Sequence, residues 1–332
     1  MGHASCDRRV FRDPPDAPNL TPIPAMTQRA FATGLALTAL LLPCSAAIAG
    51  GDGLSGEKLE KARAKIESLV QRVMHDAENE TVYECICGKE GSEGETCPTT
   101  TAPNALLASM LVKHPESAMV LQPIAVDAMR SKKTTEKQGQ ALIGVLLDTR
   151  SPSVLPVAEA MHVAAPERFC CTSVLAFSEM GSKPLKATLV KRVKKGESGV
   201  PSAAFLALQG DKTGKKILKR AHKAKVVDAE NALDVLLAGY ALEELGQSGA
   251  LLSAQVRVHD ATVAALDTDD LTAARAMAIS AKIGHSVTQS SKPILSLSYL
   301  KRAEWIHSAE EHGELASADE IFEIIQDATP IG

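Results

Sequence analysis

The sequence has 332 residues, of which 36 are Lys or Arg and 40 are Asp or Glu, so the net charge is −4 at pH 7. This nearly balanced total gives no general electrostatic reason to expect a nucleic acid or a membrane as partner. Aromatic residues make up 3% of the chain, whereas Ala and Leu are abundant, and this composition favours closely packed helices over β-sheets.

Residues 26–49 carry the pattern of a cleaved signal peptide. Arg29 precedes an uncharged apolar run from Ala30 to Leu42, and Ala47-Ile48-Ala49 supplies a small-x-small cleavage site. The apolar run is shorter than the roughly 20 residues that a membrane-spanning helix needs. We therefore expect an exported protein, in the periplasm, the cell envelope or the extracellular space, whose mature chain begins near Gly50.

The region around this signal leaves two points open. Residues 1–25 are rich in proline and lack a helical period, which fits a mis-called translation start or a disordered extension. Cys44 raises the alternative of a lipid-modified cysteine. Bacterial lipoproteins have a small residue before that cysteine, whereas Pro43 stands here, so the pattern disfavours a lipoprotein.

Residues 50–103 are predicted to form one helix and one cysteine-containing loop. Between Ser55 and Asn79 an apolar residue recurs every three or four positions, which predicts a helix with one apolar stripe. The stretch of roughly residues 80–103 is rich in Gly, Ser, Glu and Thr and predicts a loop. The stripe consists of Leu59, Ala62, Ile66, Leu69, Val73 and Ala77.

Residues 104–332 contain a degenerate repeat. The copies beginning at Ala105 and Ala141 share one order: an apolar helix, a polar break with a proline, and a second helix that carries Pro and then Ala-Met. Units of this length hold two helices and a turn, which predicts an all-α protein of stacked helical hairpins. Further copies start at Ser173, Ser202, Ala238 and Ala276, and the aligned breaks fall at Asp148, Gly181, Gly210, Gly246 and Gly284, at intervals of 33, 29, 36 and 38 residues. The four glycines predict helix ends, because glycine accepts the left-handed conformation that closes a last turn.

Two copies, SAAFLALQGDKTGKKIL and AGYALEELGQSGALL, resemble the short HEAT repeat first noticed in phycobilisome lyases. In that repeat a helix ending in Ala-Leu-x-x-x-Gly precedes a small polar turn and a second helix with a leucine. Leu206–Gly210 and Leu242–Gly246 match it most closely, and the resemblance covers residues 103 to about 295. It implies a right-handed α-solenoid of about five to six repeats with a binding or scaffolding role, and it carries over no functional residues.

Charge is unevenly distributed along the repeats. The segment from Lys183 to Lys225 contains thirteen basic residues and two acidic residues, Glu197 and Asp211. The chain after Arg302, in contrast, is acidic and has no Lys or Arg. We predict a basic surface that spans two repeats and binds a protein or an anionic polymer; the alternative is a solvated lysine-rich face. Export and the lack of interleaved aromatic residues argue against nucleic acid. The basic residues are Lys183, Lys186, Lys191, Arg192, Lys194, Lys195, Lys212, Lys215, Lys216, Lys219, Arg220, Lys223 and Lys225.

Five cysteines follow the predicted signal peptide: Cys85, Cys87, Cys97, Cys170 and Cys171. In an oxidising compartment their expected fate is a disulfide. We expect Cys85 or Cys87 to pair with Cys97 and the other to reach Cys170 or Cys171, because each close pair is too strained to bridge itself. The odd number leaves one thiol over, either buried or bonded to another chain.

A metal-binding or enzymatic protein that uses the Cys85, Cys87 and Cys97 loop is the competing hypothesis. Its ligand spacing is poor for structural zinc, because such pairs usually leave two to four residues between cysteines. No nucleophile elbow, phosphate-binding loop or paired-histidine zinc helix occurs in the sequence. The sequence therefore predicts no catalytic residue and no cofactor, and leaves the oligomeric state open.

Overall fold

The computed structural model describes residues 56–79, 102–291, 293–312 and 317–329. In these ranges every regular element is a helix, which confirms the predicted all-α class. Residues 1–49, with the predicted signal peptide, and the loop with Cys85, Cys87 and Cys97 lie outside the described residues. The chain divides into two units between Lys61 and Ala62, and the description below concerns the second unit.

Fourteen α-helices occur in the described ranges, with three short 3-10 turns at Pro152–Val154, Pro166–Arg168 and Lys212–Gly214. None of these helices is long and apolar enough to cross a membrane. The helices are α1 (Gly56–Asn79), α2 (Pro103–Lys113), α3 (Ser117–Arg130), α4 (Glu136–Thr149), α5 (Leu155–Ala164), α6 (Cys171–Glu179), α7 (Lys183–Lys195), α8 (Val200–Leu208), α9 (Lys215–His222), α10 (Ala232–Glu244), α11 (Ala250–Asp267), α12 (Leu271–Gln289), α13 (Leu295–His312) and α14 (Ala318–Ala328).

Alternate helices contact one another in series. Helices α2, α4, α6, α8, α10 and α12 each contact the next, and we call this series the first layer. Helix α3 contacts α5, α5 contacts α7, and α7 contacts the Lys212–Gly214 turn that leads into α9. Hydrogen bonds then connect α9 to α11, since Arg257 donates to the carbonyl oxygens of His222 and Ala224. We call α3, α5, α7, α9 and α11 the second layer.

Helix α1 is the helix predicted between Ser55 and Asn79, and its apolar stripe is buried at Ile66, Leu69 and Val73. A hydrogen bond of 2.8 Å from Gln138 Nε2 to Glu78 Oε2 joins it to α4. The core continues between the layers, where the rings of Phe169 and Phe177 are almost fully buried with their centroids 6.1 Å apart.

Three of the four glycines predicted to end a helix are confirmed in that role. Gly181, Gly210 and Gly246 have φ angles of 107°, 77° and 84°, the left-handed region that closes a helix at little cost only for glycine. At each, the amide of the following residue donates to a carbonyl five residues earlier, as from Asp211 to Leu206 at 2.9 Å. The Leu-x-x-x-Gly pattern is therefore the sequence of a helix-closing turn.

The prediction that Gly284 ends a helix is wrong, and the break aligned at Asp148 lies close to the end of α4. Asp148 lies inside α4, and Arg150, with φ 47°, is the residue that takes the left-handed conformation there. Gly284 lies inside α12, where it allows close packing: a Cβ at this position would lie 3.0 Å from Leu236 Cδ1 of α10. The glycine of the last copy thus serves a helix–helix contact and does not end a helix.

Helix α13 departs from the alternating pattern. It contacts α12 and then also α6 and α8, so it packs on the first layer instead of extending the second. Glu179, at the end of α6, accepts hydrogen bonds from the backbone amides of Leu295 and Ser296 at 2.7 and 3.2 Å. Helix α14 contacts α12 and α11.

Candidate binding surface

The basic residues of α7 stand on a helix whose buried side is apolar. Leu185, Leu189 and Val193 recur every four residues and are buried, which turns the lysine-rich side outward. The Ser182 hydroxyl accepts a hydrogen bond from the Leu185 amide at 3.3 Å and so caps the first turn. Gly196, with φ 75°, closes the last turn. The orientation of α7 is therefore set by its own sequence.

Helix α9 is short and is positioned by its entry turn. The Asp211 carboxylate accepts a hydrogen bond from the Thr213 amide at 2.8 Å, and this bond caps the start of the Lys212–Gly214 turn. A Cβ on Gly214 would lie 2.5 Å from Ala203 Cβ, so only glycine lets this turn approach α8 so closely. Leu218 is then buried, and the opposite side carries basic residues at helical spacing, namely Lys212, Lys216, Lys219, Arg220 and Lys223.

The structure brings α7 close to the Lys212–Gly214 turn that leads into α9, around Asp211. The Lys186 ammonium donates to Gln209 Oε1, which ties α7 to the end of α8. Hydrogen bonding from Thr213 is the main cause of the lowered pKa of Asp211, and the positive charges of Lys194 and Lys186 lower that pKa further. Side chains of α7 therefore lie close enough to the α9 entry turn for their charges to act on it.

Ten of the thirteen predicted basic residues are exposed. Lys186, Arg192 and Lys215 are half-buried. In the described part of the chain the set forms one ion pair, in which Lys195 Nζ lies 3.9 Å from Glu197 Oε1. We call the exposed basic residues of α7, the entry turn and the end of α9 the basic surface; they are Lys183, Lys191, Lys194, Lys195, Lys212, Lys216, Lys219, Arg220 and Lys223.

Arg192 differs from the other predicted residues because it turns towards the protein. Its Nη2 donates to the Pro166 carbonyl oxygen at 3.4 Å, and its Nη1 lies 4.0 Å from Cys171 Sγ. Arg192 also lowers the pKa of His162, whose main perturbation is desolvation by burial. Arg192 therefore joins the α5–α6 connection to α7 and is not counted in the basic surface.

The two cysteines in the described ranges lie at the start of α6. Cys170 is the residue before the helix, with its Sγ 3.5 Å from Ser173 Oγ, and Cys171 Sγ donates to the Glu197 carbonyl oxygen at 3.1 Å. Both are half-buried. Their predicted pairing with Cys85 or Cys87 concerns residues outside the described ranges and stays a prediction. Across those ranges, no group of three His, Cys, Asp or Glu side chains is arranged to hold a metal ion.

An open groove of about 740 Å³ on the second layer, formed by α3, α5 and the start of α7, was not predicted from the sequence. The recurring proline of the second helices was its only sequence signal, because that proline lies in the groove in three successive helices. We call it the apolar groove; it is lined by Gln122, Pro123, Val126, Arg130, Pro156, Glu159, Ala160, Val163 and Pro184.

Comparisons of the chain with protein families, with curated proteins and with solved structures found no match. The candidate surface is therefore interpreted from its own geometry and charge.

Proposed function

We propose that this protein is an exported stack of helical hairpins, similar to a HEAT-repeat solenoid, that binds an acidic partner through its basic surface. The partner is a protein or an anionic polymer. The observation that carries the proposal is the concentration of exposed, mostly unpaired basic side chains on two neighbouring helices of a chain whose net charge is negative.

The alternating contacts support the solenoid part of the proposal. Each helix of the first layer contacts the next, and α3, α5 and α7 do the same in the second layer, as expected when every hairpin buries its apolar face against its neighbours. The closing turns at Gly181, Gly210 and Gly246 end three first-layer helices in the same way. On this proposal α2 to α11 form five hairpins, and α12 begins a sixth unit that α13 does not complete in the same way.

The arrangement of charge supports the binding part. Exposed lysines with few acidic neighbours repel one another, and a polyanion that approaches them relieves this repulsion and releases counterions. The exposed lysines that we expect one extended ligand to contact are Lys191 and Lys194 on α7 and Lys216 and Lys219 on α9. An interaction of this kind is weakened by salt.

The test is a local charge reversal with a matched control. We expect the full-length chain to be retained at low salt on immobilised polyglutamate and on heparin, and the variant with Lys191, Lys194, Lys216 and Lys219 changed to Glu to flow through. The control changes four exposed lysines elsewhere, Lys113, Lys132, Lys133 and Lys301, to Glu and has the same net charge. Equal loss of retention in both variants, or no retention of the wild type, contradicts the proposal; circular dichroism confirms that both variants are folded.

Export is tested by intact mass. When the chain is secreted from a bacterial host, we expect a mass that corresponds to cleavage near Ala49, and alkylation before and after reduction then counts the disulfides among Cys85, Cys87, Cys97, Cys170 and Cys171. A retained N-terminal segment, or a lipid mass on Cys44, contradicts the predicted processing.

A further inference from the structure

The apolar groove displays large apolar side chains on an accessible face. On α3 the lining residues Pro123, Val126 and Arg130 follow one another at helical spacing, and Met119, which is 77% exposed, lies one turn before Pro123 on the same side of the helix and so beside the groove. On α5, Val163 is 78% exposed. Side chains of this kind are usually covered, and contiguous exposed apolar patches mark interaction sites.

The groove continues directly into the basic surface. Pro184 lines the groove and is the second residue of α7, next to Lys183. Ala187, Lys191 and Lys194 follow on the exposed side of α7 at helical spacing. The connection is held by the Ser182 hydroxyl, which donates to Glu159 Oε1 of α5 at 2.7 Å. An extended ligand that lies along the second layer meets apolar side chains first and ammonium groups next.

We infer that the partner is a protein segment that carries both apolar and acidic side chains, and that it occupies the apolar groove and the basic surface together. The inference rests on the proposed function and chooses between its two partner classes. A polyanionic glycan can form ionic contacts with the lysines, but it has no apolar side chains to bury against Met119, Val126 and Val163. A peptide chain places apolar side chains in the groove and carboxylates on α7 and α9, so it uses both parts.

The charges within the groove fit such a segment. Arg130 and Glu159 both line it, so its polar groups do not favour one sign, whereas beyond Pro184 the charge is basic. Charge complementarity therefore requires acidic residues only in the part of the ligand that lies on α7 and α9. We therefore expect the ligand to have an apolar part, which lies in the groove, joined to an acidic part, which lies on α7 and α9.

The test selects ligands from a displayed library of random 12-residue peptides on the immobilised full-length chain. We expect enriched peptides that combine apolar and acidic residues. For a synthetic copy of an enriched peptide, we expect changing Met119 and Val163 to Asp to weaken binding at least tenfold without changing retention on polyglutamate. The four-lysine reversal weakens both interactions. The control changes Val112 and Leu252, two exposed apolar residues outside the groove, to Asp and leaves peptide binding unchanged.

Each other outcome overturns the inference in a recognisable way. Enriched peptides that are acidic only, and are insensitive to the Met119 and Val163 changes, leave the proposed function intact and assign the surface to an anionic polymer. Absence of enrichment over an unrelated protein also overturns the inference. Concentration-dependent self-association in sedimentation velocity, lost in the Met119 and Val163 variant, assigns the groove to a second copy of this chain. If the control variant with Lys113, Lys132, Lys133 and Lys301 changed to Glu loses its retention on polyglutamate, the proposed function itself is refuted.

Discussion

Helices α7 and α13 both contact α6 and α8, but different interactions hold them in place. Helix α7 is anchored by Leu185, Leu189 and Val193, and most of its basic side chains are exposed. Helix α13 also buries Leu295 and Ala309, and polar groups add to its attachment: Glu179 binds its first turn and Asp234 accepts a hydrogen bond from the Tyr299 hydroxyl.

The arginines of the two helices show the same difference. Arg302 of α13 donates from Nε to Ser280 Oγ at 2.7 Å and from Nη2 to the Ala229 carbonyl oxygen. Burial raises the pKa of Asp234 and lowers that of Arg302, and their mutual attraction opposes both shifts. The charge on Arg302 is therefore used to hold the fold, whereas the charges on Lys191 and Lys194 are not.

The largest expected effect is that of removing the Arg302 guanidinium. We expect Arg302→Met to lower the free energy of unfolding by about 1.5–3 kcal/mol, because Ser280 and the Ala229 carbonyl lose a charged donor. Urea denaturation measures the change. The matched change Lys191→Met on α7 is expected to stay within about 0.5 kcal/mol of the wild type, since the side chain is exposed and away from such contacts. Equal effects would remove the distinction between the two helices.

The next effect concerns the attachment of α13 by Glu179. Burial is the main cause of its raised pKa, and the hydrogen bonds from Ser296 and Leu295 oppose that shift. A carboxyl whose folded-state pKa is raised stabilises the protein below its ordinary value of 4.5, and this contribution is lost as the pH rises through the folded-state value. We expect Glu179→Gln to gain stability relative to the wild type as the pH rises from 4.5, measured by urea denaturation at a series of pH values. Parallel pH profiles would contradict this role.

The smallest effect tests a titratable group beside α7. Burial is the main cause of the lowered pKa of His162, its Nε2 has no hydrogen-bond partner in the described part of the chain, and its ring lies edge-on to Phe169 with centroids 5.1 Å apart. The unfolded chain binds a proton below about pH 6.5 more readily than the folded protein does, so stability falls as the pH falls. We expect His162→Phe to reduce this loss of stability, measured in the same denaturation series. The variant then gains stability relative to the wild type as the pH falls, whereas Glu179→Gln gains it as the pH rises. An unchanged slope below pH 6.5 would show that His162 does not contribute.

Local sequence patterns predicted the elements and several of their ends. The apolar stripe predicted α1, and the glycines at Gly181, Gly210 and Gly246 predicted helix-closing turns, because both depend on interactions within a few residues along the chain. Gly284 carried the same signal but lies in the middle of α12. Its role depends on Leu236, 48 positions earlier, which no local pattern can reveal.

The candidate surface shows the same limit. The excess of basic residues on α7 and α9 was visible in the sequence, and so was their outward side, because buried leucines alternate with lysines at helical spacing. The half-burial of Arg192 and Lys215 and the apolar groove were not visible. Each depends on which helices become neighbours, and the groove in particular needs Pro123, Pro156 and Pro184 from three separate helices.

The sequence by itself determined the all-α class, most of the helices and the separation of basic from acidic segments, because these follow from composition, helical periodicity and charge order. Only the tertiary structure decided that α13 packs back on α6 and α8, that Arg302 is structural, and that an apolar groove meets the basic surface. Those features result from contacts between residues far apart in the chain, whose burial and hydrogen bonding exist only once the helices are packed.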